Sequence, residues 1–85
     1  MKESEVIERA EALPERYADR VRPEDLDGMR SMASGGEWQE LVELLVASLG
    51  LTRARVSTAE RDELRSLLEA MHLPADELAG LNLEG

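Results

Sequence analysis

Between Trp38 and Leu49, the apolar residues Trp38, Leu41, Val42, Leu45 and Leu49 recur at i, i+3, i+4, i+7 and i+11. That spacing puts all five on one face of a helix, and no other stretch of the chain carries so strong a helical signal. Val46 widens the apolar arc, which predicts that this helix, spanning 36–49, is the most buried element. Nothing comparable exists for strands. No run of valine, isoleucine or aromatic residues alternates with period two, so no strand is predicted. Aromatic residues are limited to Tyr17 and Trp38. The core must therefore be built from Leu, Val, Met and Ala, most of which favour helices. Hydrophobic residues make up 42% of the chain, too many for simple disorder despite its charge.

Prolines and caps divide the remainder. Val6, Ile7, Ala10 and Leu13 share a face and predict a helix over 3–13, which Pro14 ends. Pro14 opens a second short piece, 14–21, with Tyr17 and Val21 as its stripe. Pro23 starts a helix over 23–34, with Glu24, Asp25 and Asp27 at the positive end of its dipole. Leu26, Met29 and Ala33 make the inward face of that helix, and Gly35 and Gly36 stop it. Ser34 and Glu37 have capping-box spacing ahead of the central helix, and Gly50 is its predicted stop. Residues 50–56 form a connection. Ser57 and Glu60 repeat the capping-box spacing and begin a helix that runs to 72, with Leu64, Leu67, Leu68 and Met71 as its stripe. Pro74 opens a last turn through Leu78 and Leu81, and residues 82–85 are predicted to fray. The predicted fold is one all-α domain over 1–85, a small bundle of four to five short helices with no sheet.

Several function classes find no support. The chain has no cysteine, which rules out disulfides, thiolate nucleophiles and zinc–cysteine clusters and fits a reducing compartment. Its N-terminal residues Met1 to Glu5 are polar and acidic, unlike a signal peptide. No apolar run approaches the ~20 residues that a membrane helix needs. The single histidine, His72, falls at a predicted helix C-terminus, where it suits the dipole and has no catalytic partners. Asp25, Asp27 and Gly28 suggest a calcium loop, but that loop would begin at Pro23 and end at Ser34, so it fails at both ends. An acyl carrier would need a serine following aspartate, and Ser48 and Ser66 do not. No metal, cofactor or catalytic residue is expected.

Charge is the remaining clue. The chain holds 19 acidic and 10 basic residues, a net charge of -9, which suits neither nucleic acid nor an anionic membrane. Residues 23–50 contain six acids and one base, Arg30, so five of the nine excess charges lie there. On the central helix Glu40 and Glu43 fall outside the apolar stripe, and Leu44 falls between Glu37 and Glu40. Leu44 is then either covered by a neighbouring helix or an apolar anchor within an acidic patch. Trp38 admits the same two readings, core or interface.

Gly36-Glu37-Trp38 opens a helix of repeated leucines, Leu41, Leu44, Leu45 and Leu49. It is followed by a short stretch ending in Val56-Ser57 and by a second amphipathic helix from Glu60 to Leu73. This arrangement resembles the small helical immunity proteins of bacterial contact-dependent growth inhibition and Maf-type toxin systems. The resemblance implies a cytoplasmic, non-enzymatic protein that binds a cognate toxin domain, often a nuclease, and blocks its active site or substrate surface. A nuclease surface is basic, and the matching contact face here would be Asp25, Asp27, Glu37, Glu40, Glu43 and Leu44. The rival expectation is a self-associating helical adaptor with no toxin partner, using Leu44 and part of the apolar arc as its seam.

Overall fold

In the computed structural model, which describes residues 1–84, the central stripe becomes the axis of the fold. Helix α1 covers Glu3–Glu11, the single turn α2 covers Leu13–Arg16, α3 covers Pro23–Ser34 and α4 covers Trp38–Thr52. Strand β1, Arg55–Val56, precedes α5, Thr58–Ala70. A 3-10 helix, Asp76–Gly80, leads into β2, Asn82–Leu83. Helix α4 touches α1, α3, α5 and the 3-10 helix. Leu41, Val42, Leu45, Val46 and Leu49 are all buried in that position, together with Met29 of α3 and Leu64, Leu67 and Leu68 of α5. The chain is mostly helical, as predicted.

The predicted absence of a sheet is corrected. Strands β1 and β2 pair in parallel, Arg55 with Asn82 and Val56 with Leu83. The Glu84 N–H extends the pairing by donating to the Val56 carbonyl at 3.0 Å. Residues 82–84 are thus held rather than frayed, and Gly85 lies outside the described residues. Two-residue strands are too short to show a period-two pattern, and a parallel pair needs a helical crossover, here α5. The ladder also anchors fully buried Val56 beneath it.

Helix ends follow local chemistry. Pro23 occupies the first turn of α3, and Arg22 before it is extended, as the residue preceding proline should be. The Ser57–Glu60 capping box forms: Ser57 Oγ accepts from the Glu60 N–H at 3.1 Å, and Glu60 Oε1 accepts from the Ser57 N–H at 3.0 Å. The predicted Ser34–Glu37 box does not form, because Ser34 is the last residue of α3. Gly36, at φ 70°, lets the chain leave α3 in a Schellman turn, with Glu37 N–H donating to Met32 O at 2.8 Å. The same motif ends α5 two residues before its predicted end: His72 adopts φ 59°, and Leu73 N–H donates to Leu68 O at 2.8 Å.

Gly50 does not stop α4, which continues to Thr52 and turns at Arg53 in the left-handed region. Gly50 is exposed, and an added Cβ would meet nothing within 4 Å. Gly50→Ala is therefore expected to stabilise the protein by about 0.5–1 kcal/mol through helix propensity. Urea melts of both proteins check this, and a destabilised variant would count against the continuous helix.

Candidate functional site

Helix α4 presents its outer face beside α3, and the six sequence-derived contact residues have different fates there. Asp25 is turned inward and only 7% exposed. Its Oδ2 accepts from Arg22 Nε at 2.7 Å, and its second oxygen accepts from the same guanidinium at 3.3 Å. Arg22 first, and then the Ser48 hydroxyl, hold the Asp25 carboxyl below its usual range. Asp25 is paired with Arg22, whose own backbone N–H donates to Ser48 Oγ of α4 at 3.2 Å, so its charge is already matched. It is not part of an open contact face.

Asp27, Glu37, Glu40 and Glu43 are exposed. None of them has an ion-pair partner among the described residues. The one base of this stretch, Arg30, is directed to α2, where Nε donates to Glu15 Oε1 at 2.9 Å. Apart from Asp25, the acids of this segment thus have no ion-pair partner among the described residues. Leu44 lies one helical turn from Glu40 and next to Glu43 on α4, and it is half-buried. A Cβ built on Gly28 of α3 would come within 3.2 Å of Leu44 Cδ2, so the missing side chain is what lets α3 approach here. One side of Leu44 packs on α3, and the other remains open. Trp38 is also half-buried, packs against the core and borders a separate hollow with Val6, Ile7 and Met71.

The open side of Leu44 belongs to a cleft of about 440 Å³. Helix α4 contributes Glu43, Leu44, Val46 and Ala47, and α5 contributes Leu68. Pro74, Asp76 and Glu77 close the other wall. The buried members, Val46 and Leu68, form the floor, while all three carboxylates are exposed at its edge. Asp76 and Glu77 were not legible as site residues. They are far from Glu43 in sequence, and their only local signal is that acids suit the first turn of a helix.

Two arginines elsewhere tie distant parts of the chain together. Arg16 pairs with Glu63, tying α2 to α5. Arg20 binds Glu60 through two hydrogen bonds, at 2.9 and 2.8 Å, and donates to the Arg55 carbonyl at 3.1 Å. Its guanidinium lies 4.3 Å from the centre of the Tyr17 ring, within cation–π range. Burial, reinforced by the Glu60 charge, pushes the Tyr17 hydroxyl up to about 12. Arg20, and then Ser57, hold Glu60 down to about 2 against its burial.

Among the described residues, no group of three or more carboxylate or histidine side chains is placed to hold a metal ion. No helix among them is long and apolar enough to cross a membrane. The arrangement offers a cleft with aliphatic lining along which the exposed carboxylates Glu43, Asp76 and Glu77 lie. No family model, curated protein or solved structure matches this chain.

Proposed function

We propose that this chain is a toxin-neutralising immunity protein. It binds the toxic domain of a cognate bacterial toxin, of the nuclease class, inside the cytoplasm. It acts by occupying the basic surface that the toxin uses for its substrate. The observation that carries this reading is the unpaired acidic face of Asp27, Glu37, Glu40 and Glu43 around half-open Leu44. Such a face steers a basic partner and sets its register, while a few desolvated apolar contacts supply most of the affinity. The resemblance of the Gly36-Glu37-Trp38 element and its leucine helix to growth-inhibition immunity proteins supports the same reading.

Self-association receives less support. An apolar seam would need the arc of α4, and Leu41, Val42, Leu45, Val46 and Leu49 are already covered within one protomer.

Coexpression with the toxin domain encoded beside this gene tests the function. Cells carrying both are expected to survive, and equal killing with and without this chain would sink the proposal. The charge mechanism has its own test. Glu37→Lys combined with Glu40→Lys is expected to slow association by about tenfold at low salt, and the gap should close as salt is raised. Stopped-flow association rates that do not change would remove the acidic face from the mechanism.

A further inference from the structure

We infer that the cleft between α4, α5 and the 3-10 helix is an arginine-anchoring pocket for a basic, partly apolar protein segment. This inference rests on the reading of the chain as a binder of a basic partner, and it names the chemical group that the partner inserts.

The volume, about 440 Å³, lies within the range of pockets that hold compact ligands. The lining has two chemistries. Leu44, Ala47, Leu68 and Pro74 offer aliphatic surface, and no basic side chain lines the cleft. Glu43 of α4 and Asp76 and Glu77 of the 3-10 helix line the same cleft and are exposed. None of these three carboxylates has an ion-pair partner among the described residues. A small hydrated cation is a poor match, because the three acids are not grouped as metal ligands. A long side chain with an apolar stem and a cationic head matches both chemistries at once. Arginine fits better than lysine. Its planar fork can bond carboxylates from two directions, and it sheds its weaker hydration more readily over an apolar floor. An apolar neighbour of that arginine would cover the open side of Leu44.

The hollow beside Trp38 has no such pointer. Its lining combines Met1, Val6, Ile7 and Met71 with Glu3 and His72, and it does not select one charge.

The test is an NMR titration of the full ¹⁵N-labelled chain at low salt. The probe is the blocked peptide acetyl-Gly-Leu-Arg-Leu-Gly-amide, with its citrulline analogue as the uncharged isostere. Saturable shifts are expected at the amides of residues 43–47 and 76–78. Citrulline is expected to weaken binding by about tenfold, the effect of losing charge-assisted hydrogen bonds. Glu43→Gln with Glu77→Gln should give a loss of similar size, and Ala47→Phe, filling the cleft from an exposed position, should abolish the shifts. Glu8→Gln with Glu11→Gln makes the same change in net charge on exposed α1 positions and should leave the affinity within about twofold.

Equal losses in the two double variants would overturn the inference in favour of diffuse charge attraction. Equal binding of citrulline, or shifts located elsewhere, would also overturn it. Its failure can be told apart from failure of the neutralising function. If cells are not protected but the arginine peptide still seats in the cleft, the function falls and the pocket stands. If protection persists and Glu43→Gln with Glu77→Gln protects and binds the toxin domain as the parent does, the pocket falls and the function stands.

Discussion

Leu45→Ala is expected to lower the stability of this protein by about 2–5 kcal/mol, whereas Leu44→Ala, one residue away, is expected to cost only about 1 kcal/mol. Leu45 is fully buried on α4, in the core cluster that also holds Met29 of α3 and Leu64, Leu67 and Leu68 of α5. Truncation there removes apolar contact and leaves a cavity that the surrounding helices can close only in part. An 85-residue domain has roughly 4–13 kcal/mol in total, so the loss is a large share of it. At about 4–8 °C per kcal/mol, the melting temperature of Leu45→Ala should fall by about 8 °C or more. Leu44 is half-buried and rests on one side against α3, so its removal exposes little new surface. Its effect should appear instead in partner affinity. Circular-dichroism melts and a binding assay on the two variants separate these roles. Equal destabilisation by both would mean that Leu44 belongs to the core alone.

Glu60→Ala carries the second large effect, and this one depends on pH. The Glu60 side chain closes the Ser57 capping box and receives both hydrogen bonds from Arg20. Losing the cap and the pair together should cost about 2–3 kcal/mol at neutral pH. The folded protein holds Glu60 at about 2, against an ordinary value of 4.5. A depressed carboxylate stabilises the fold above its unfolded pKa, and this contribution is lost as pH falls toward the folded one. The gap between parent and Glu60→Ala should therefore be widest above pH 4.5 and shrink steadily toward pH 2, with about 3 kcal/mol as its ceiling. Asp25, also held low by Arg22 and Ser48, adds to acid sensitivity with the same sign. Urea melts across this range provide the check. A gap that stays constant with pH would mean that Glu60 acts through packing rather than charge.

Much of the fold was legible because helix signals are local. The stripe from Leu41 to Leu49, Pro23 at the start of α3, and the Ser57–Glu60 box all act within about four residues, and each formed where the spacing placed it. Errors arose where two local devices compete. Ser34 and Glu37 have capping-box spacing, but Gly36 makes a helix end at the same place, and its Schellman turn keeps Ser34 inside α3. Gly50 looked like a stop, but the buried residues before it keep α4 helical until a left-handed Arg53 ends it.

The candidate site was legible by half. Asp25 and Asp27 are two residues apart on one helix, and sequence assigns both to the same acidic patch. Helical geometry turns Asp25 inward, where Arg22 pairs with it, and Asp27 outward. Sequence alone determined the helices, the aliphatic core and the concentration of acid in residues 23–50, because propensity, periodicity and charge are properties of neighbouring residues. The tertiary structure decided which distant acids are paired, Glu15 with Arg30 and Glu60 with Arg20. It also joined β1 to β2 and brought Asp76 and Glu77 to the cleft of Glu43 and Leu44. Pairings between distant segments form because packing α4 at the centre brings those segments together, and no short-range pattern encodes that.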